Sequence, residues 1–242
     1  MHILITRPEM QAKKTAESLQ RRGHSFTIEP LLEINPIRSP MPPGQFDALI
    51  VTSINALPTL DSNWPKDNRA TVPLLATGAA TANAARKLGF KNSQHVPGTV
   101  AASSVDLTEA VPAWMTQNNL SDSAHLLYPS AETVAHDVVE LLANKAISCH
   151  RWTVYRASPA TQFTDPTKTA LNRGEIDAVL LYSKRTAHTF VQLMRKAEIP
   201  MNGLRAYVLS LDILETLPKE MKSHARSANQ PDEDSLLDLI DA

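Results

Sequence analysis

Two stretches of the chain say nearly the same thing. Phe46-Asp47-Ala48-Leu49-Ile50-Val51-Thr52-Ser53-Ile54-Asn55-Ala56 returns as Ile176-Asp177-Ala178-Val179-Leu180-Leu181-Tyr182-Ser183-Lys184-Arg185-Thr186. In each, an acid precedes an apolar run too short to cross a bilayer and too continuous for a strand with one wet face. Both therefore read as strands buried on two faces. Each run ends in a serine and a polar turn, followed by sequence with the pattern of a helix. A motif present twice predicts two similar units.

The repetition extends further. Ile3-Leu4-Ile5-Thr6-Arg7-Pro8 leads through a helical pattern, Met10 to Arg22, to Phe26-Thr27-Ile28 and Leu31-Leu32-Glu33-Ile34-Asn35-Pro36. Leu126-Leu127-Tyr128-Pro129 leads through 133–145 to Trp152-Thr153-Val154-Tyr155-Arg156-Ala157-Ser158-Pro159. Strands alternating with helices of this length require right-handed crossovers and a parallel sheet covered on both sides. The expected fold class is α/β, with two flavodoxin-like, doubly wound parallel-sheet lobes joined by a two-stranded linker. The fragment 1–36 cannot close a sheet alone, so it pairs with 160–242 as a discontinuous first lobe. Residues 44–151 form the second lobe, and 37–43 and 152–159 connect the two. Within this frame the expected elements include a strand at 73–76, a helix ending near Leu88, a loop to Ser104, a helix from Val105, a helix over 186–197, a strand at 205–209 and a terminal helix from Asp234. A polar loop is expected around 61–65.

A chain of 242 residues with 43% apolar content can build two cores. The net charge of −1 gives no global field to recruit nucleic acid or an anionic membrane, so a polyanionic ligand needs a locally positive site. Cys149 is the single cysteine, which excludes an internal disulfide and cysteine-based zinc patterns. Only three apolar residues precede Thr6-Arg7-Pro8, too few for a signal-peptide core, and the expected compartment is the cytoplasm. No membrane span and no nucleic-acid partner are expected, and the chain reads as a monomer.

Ligands of open α/β sheets sit beyond the carboxyl ends of the strands, where helix starts favour anions. Thr77-Gly78-Ala79-Ala80-Thr81 lies at such a place; a helix cap by Thr77 or Thr81 is the favoured reading of the residues alone, with Thr81 the one that could meet a ligand. Thr52, Ser53 and Asn55 occupy a second strand end, mirrored by Ser183. Serine caps and an asparagine turn are the plainer reading there. Arg7, after the first strand, could hold a carboxylate or pair with a neighbouring acid. Val96-Pro97-Gly98-Thr99 and Ala101-Ala102-Ser103-Ser104 add hydroxyls before a helix, with capping by Ser103 the simpler role. Tyr155 could direct its hydroxyl to a ligand or merely pack. The isolated glycines form neither Gly-x-Gly-x-x-Gly nor a Walker sequence, no Gly-x-Ser-x-Gly occurs, and the histidines include no His-Glu-x-x-His. Neither a metal nor a cofactor is expected.

Taken together, these segments make the chain resemble the uroporphyrinogen-III synthase family. The resemblance rests on Ile3 to Pro8, Pro30 to Ile34, Phe46 to Ala56, Ala76-Thr77-Gly78-Ala79-Ala80-Thr81-Ala82, Val154-Tyr155-Arg156 with Pro159, and Ile176 to Leu180, in the family's order over the full length. It implies two lobes joined by a two-stranded ladder and a lyase that needs no cofactor. The substrate implied is hydroxymethylbilane, a linear polycarboxylate tetrapyrrole. The implied reaction is loss of the terminal hydroxyl as water, passage through a spiro intermediate, inversion of ring D and closure to uroporphyrinogen III. Tyr155 matches the family's linker tyrosine, expected to donate a hydrogen bond to the departing hydroxyl. Ser53, Thr81 and Ser103 are expected to hold carboxylates.

The chain departs from the family pattern in two places. Val208-Leu209-Ser210-Leu211-Asp212 stands where a second Gly-Thr turn is usual. Tyr128-Pro129-Ser130-Ala131-Glu132 replaces Arg-Gly-Glu, which removes an expected cation. A two-lobed, non-catalytic binder of an anionic metabolite, or an inactive paralogue, is the alternative.

Overall fold

The computed structural model describes residues 1–96 and 103–241. In chain order they form β1 (His2–Ile5), α1 (Glu9–Arg21), β2 (Ser25–Ile28), β3 (Leu32–Pro36), β4 (Ala48–Val51), α2 (Leu57–Asn63), β5 (Leu74–Ala76), α3 (Ala79–Lys87), β6 (Ser93–His95), α4 (Ser104–Gln117) and β7 (His125–Ala131). There follow α5 (Val138–Ala143), β8 (Ser148–Pro159), α6 (Asp165–Asn172), β9 (Ala178–Leu181), α7 (Lys184–Lys196), β10 (Arg205–Val208), α8 (Leu211–Leu214), α9 (Lys219–Lys222), β11 (Ala225–Ser227) and α10 (Glu233–Asp241). The chain divides into two compact units, Met1–Glu33 with Ser158–Ala242, and Ile34–Ala157. It passes from one to the other within β3 and within β8.

The first unit holds a sheet in the order β11-β10-β9-β1-β2, with every pair parallel. Counted within the unit, that is the 2-1-3-4-5 order of flavodoxin-like sheets. Its central strand β9 shows why the repeated run has no polar residue. Ala178 and Leu180 pack with Ile3, Ile5, Leu19, Leu236 and Ile240 on one face. Val179 and Leu181 pack with Phe190 and Met194 on the other. Successive side chains of a strand point to opposite faces, so a sheet covered on both sides makes every position apolar.

The second unit repeats the plan. Its sheet runs β3-β8-β7-β4-β5-β6, and β8-β7-β4-β5-β6 is again 2-1-3-4-5 with β7 counted first. Leu49 and Val51 face α2 and α3. Ala48 and Ile50 face α4 and α5 with Leu107, Val111 and Leu142.

The acid ahead of each run has a structural task. The Asp177 amide donates to the His2 carbonyl at 2.9 Å, while the His2 amide donates to the Asp177 carboxylate at 2.6 Å. Asp47 and His125 repeat the exchange at 2.9 and 2.8 Å. Even the histidine rings are duplicated: His2 Nδ1 lies 2.9 Å from Ser25 Oγ, and His125 Nδ1 lies 3.0 Å from Ser148 Oγ. Each acid thus clamps the central strand to its neighbour at the amino end and fixes their register.

Some elements differ from expectation. Residues 57–63 form a helix where polar composition predicts a loop from 61, because Ser62 and Asn63 donate back to the carbonyls of Pro58 and Thr59 and extend the turn. The helix expected from 133 starts only at Val138, where Asp137 accepts the amides of Val139 and Glu140. The edge strands β6 and β11 are short and polar, so they carry no apolar run to mark them. Among the described residues no helix is long and apolar enough to cross a membrane.

Candidate active site

Doubly wound sheets bind ligands outside the carboxyl ends of their strands, where the strand order reverses. In the second unit that point lies between β7 and β4. Thr52 and Ser53 follow β4, and alternation along the strand sends them to opposite faces. Thr52 Oγ1 lies 3.2 Å from the hydroxyl of Tyr128, which belongs to the α4/α5 face. Ser53 lies close enough to the hydroxyl of Tyr155, on the α2/α3 face, to lower its pKa.

Tyr155 reaches that face through a bulge. Ser130 pairs with Thr153 and Ala131 with Tyr155, so Val154 is an extra residue in β8. A regular strand would turn Val154 and Tyr155 to opposite sides, but both pack in one cluster with Trp152. A bulge can re-aim a side chain in this way, and it does so here at the last residue of β7. The frame is held by the Ile37 amide donating to the Val154 carbonyl at 2.9 Å and the Glu132 amide to the Tyr155 carbonyl at 2.8 Å. Tyr155 is only 7% exposed. Burial pushes its pKa up, against the lowering effect of nearby Ser53, so the phenol stays protonated through the neutral range. Tyr128 is raised for the same first reason, opposed by Thr52, and further raised by Tyr155.

The next strand end completes the edge. Thr77 Oγ1 donates to the Thr52 carbonyl at 3.2 Å and ties the two loops together. Gly78 is the N-cap of α3 in extended conformation, and no side chain caps that helix. Ala79 opens the helix and Thr81 is buried in its first turn. The start of α3 therefore keeps amides that no side chain of its cap uses, an anion-favouring end. Asn55 sits in the 3-10 turn after β4, its amide donating to Ser53 Oγ at 3.2 Å.

Other expected ligand contacts are engaged in structure. Ser103 forms a capping box with Asp106, accepting the Asp106 amide at 3.1 Å while its own amide donates to the Asp106 carboxylate at 2.8 Å. Pro97, Gly98, Thr99, Ala101 and Ala102 lie outside the described residues. In the first unit Ser183 caps α7, accepting the Thr186 amide at 3.1 Å. Arg7 donates to Glu233 at 2.9 Å and lies 4.1 Å from the centre of the Tyr182 ring. Thr15 also donates to that Glu233 oxygen.

Sequence reasoning missed Tyr128 and Arg151. The one signal for Tyr128 is a hydroxyl at the end of an otherwise aliphatic strand. Arg151, its register partner in β8, donates to Ser130 Oγ at 2.9 Å and to the carbonyls of Ala131 and Glu132 at 2.7 Å each. Arg156 pairs with both oxygens of Glu132 at 2.6 Å. The segment 128–132, expected to lack a cation, thus receives two from β8.

A family model described as uroporphyrinogen-III synthase HemD matches residues 13–238. No curated protein matches the chain. Among solved structures, a uroporphyrinogen-III synthetase from Helicobacter pylori is similar with a TM-score of 0.65 and 17% identity, covering 99% of this chain and 97% of that one. A mutant uroporphyrinogen III synthase from the extremely thermophilic bacterium Thermus thermophilus is similar with a TM-score of 0.52 and 14% identity, covering 100% of this chain and 97% of that one. At such identities these two structures speak for the fold.

Proposed function

The chain belongs to the uroporphyrinogen-III synthase family, lyases of tetrapyrrole synthesis, and we propose that the Tyr155 edge of its second unit is where hydroxymethylbilane is closed with inversion of ring D. The C–O bond of the terminal hydroxyl breaks with the electron pair supplied by the adjacent pyrrole nitrogen, and the departing hydroxide becomes water with the proton that the free α-carbon of ring D gives up on closure. The carbon cation left behind is attacked by the substituted carbon of ring D, and the resulting spiro intermediate reopens and closes with that ring reversed.

Little of this asks for a strong acid or base. The leaving hydroxyl needs a hydrogen-bond donor, and the polycarboxylate chain needs to be folded so that its ends meet. The observation that carries the reading is Tyr155: a bulge aims it, Ser53 lies beside its hydroxyl, and burial keeps it neutral. A neutral phenol donates to the departing oxygen without being consumed. The uncapped start of α3 at Gly78, Ala79 and Thr81, together with Thr52, Thr77 and Asn55, is the place for the substrate's carboxylates. In this reading Ser103, Ser183 and Arg7 meet carboxylates only after giving up the partners they hold. Each unit closes its own two-faced core, which supports a monomer working in the cytoplasm on a free small molecule.

The test uses a property of the substrate. Hydroxymethylbilane cyclises unaided to the symmetric type I isomer, so the purified protein is expected to turn the product to type III, read by chromatography after oxidation to porphyrins. An isomer ratio no different from the protein-free reaction would leave a non-catalytic binder in its place.

A further inference from the structure

The first unit has a second polar feature, at the opposite edge of its sheet. A cavity of about 360 Å³ opens at the amino ends of β10 and β11, lined by Arg205, Tyr207, Ser223, His224, Arg226 and Ile240 among others. Strand geometry brings its two arginines to one face. Arg205 and Tyr207 are two residues apart in β10, and Tyr207 is the register partner of Arg226 in β11. The two arginine Cα atoms are then about 8 Å apart, close enough for both guanidinium groups to meet one small ligand. Tyr207 and Ile240 belong to the core cluster of that face and give the cavity an apolar floor.

Among the described residues the arginines hold nothing of opposite charge. Arg205 donates to the sulfur of Met1 at 3.3 Å, and thioether sulfur is a weak acceptor. Among the described residues neither Arg205 nor Arg226 has an acidic partner, whereas Arg7, Arg22, Arg69 and Arg156 all do. Among the described residues the lining has no carboxylate. We propose that this cavity binds a small polyvalent oxyanion, a phosphate ester or an oligocarboxylate, bridged between Arg205 and Arg226 with Ser223 and His224 as further donors. Planar guanidinium groups favour such ligands through paired N–H bonds. The site lies at the amino ends of the first unit's strands and shares no residue with the cyclisation edge.

The competing role for these arginines is to complement the carbonyl end of α10, which finishes at Asp241 beside the cavity. Thermal unfolding of the full chain with pyrophosphate or citrate, each against chloride at matched ionic strength, separates the two. Pyrophosphate or citrate is expected to raise Tm by about 4 °C at roughly ten times its Kd. That rise disappears in Arg205→Ala/Arg226→Ala and is partly kept in Arg226→Lys. Response to pyrophosphate alone assigns the site to phosphates; response to citrate alone assigns it to carboxylates. Cyclisation at saturating substrate is unchanged in both variants. Should the double variant fold poorly, calorimetric titration of Arg205→Gln and Arg226→Gln singly is expected to show at least tenfold weaker binding. A wild-type protein that answers neither anion beyond chloride, or a double variant that answers as the wild type does, overturns the proposal.

Discussion

Replacing Tyr155 by phenylalanine removes a single oxygen and leaves the ring where it packs, with Trp152 and Val154 on the α2/α3 face. The folding cost is then confined to the hydroxyl's contact with Ser53, at most about 1 kcal/mol, or about 2–4 °C in Tm. The catalytic cost is larger if the hydroxyl assists departure of the leaving group. Positioned proton donors contribute about 10²–10⁴-fold, and a donor that lends a hydrogen bond without giving up its proton belongs near the lower end. The expected result is a fall in kcat of about 10²-fold with KM little changed, because the interaction grows only as the C–O bond breaks. Tyr155→Ala is the wrong probe, since loss of the ring alone would cost about 3–5 kcal/mol. Ser53→Ala and the double variant close a cycle: if Ser53 acts by orienting the phenol, its effect on kcat vanishes once Tyr155 is phenylalanine. Initial rates with chromatographic separation of the isomers supply the measurement. A Tyr155→Phe protein that keeps wild-type kcat and a type III product would show the ring to be packing alone.

Two further outcomes follow from buried polar groups. Arg69 is 8% exposed and donates to the Asp61 carboxylate and to the carbonyls of Asp61, Trp64 and Leu88, so Arg69→Ala is expected to destabilise by about 3–5 kcal/mol in urea unfolding, with Arg69→Lys a poor rescue. Tyr182 has its pKa pushed up to about 12 by burial, so the folded chain keeps a proton that the unfolded chain loses near pH 10. That stabilisation is complete below pH 10 and is lost as pH rises towards 12, by about 2–3 kcal/mol. Urea midpoints at pH 9 and 11 should converge in Tyr182→Phe relative to the wild type.

How much of this was legible depended on whether a feature left a periodic trace. The buried runs at 47–51 and 177–181 could be read as central strands because burial on two faces demands unbroken apolar sequence. The repeat then implied the doubling. The serines at 53, 103 and 183 were recognisable as caps, since a helix start has local chemistry. The bulge at Val154 was not readable, because one added residue in a strand buried on part of one face alters no pattern that a period can detect. Arg151 was hidden for a related reason: its partners at 130–132 are neighbours only through strand register. Asp47 and Asp177 were visible as a repeated acid, but their task depended on which strand lay alongside.

The two copies of the edge differ in a way that fits the proposal of chemistry in the second unit. Aligned through His2 with His125 and Asp177 with Asp47, the residue that follows the central strand is Tyr182 in the first unit and Thr52 in the second. In the first unit α10 begins with Glu233, whose carboxylate takes Arg7 and Thr15 beside Tyr182 at the point where strand order reverses. In the second unit the helix in the matching place, α4, spends its acid on itself, Asp106 closing the capping box with Ser103. Among the described residues α4 sends no acid to the strand ends there, the one acid beside Tyr155, Glu132, is closed by Arg156, and Thr52 meets Tyr128 while Ser53 lies beside Tyr155. A closed ion pair at one copy of the edge and neutral hydroxyls at the other is the arrangement expected when a single copy receives the anionic substrate. An internal carboxylate at the reactive edge would repel the substrate's own.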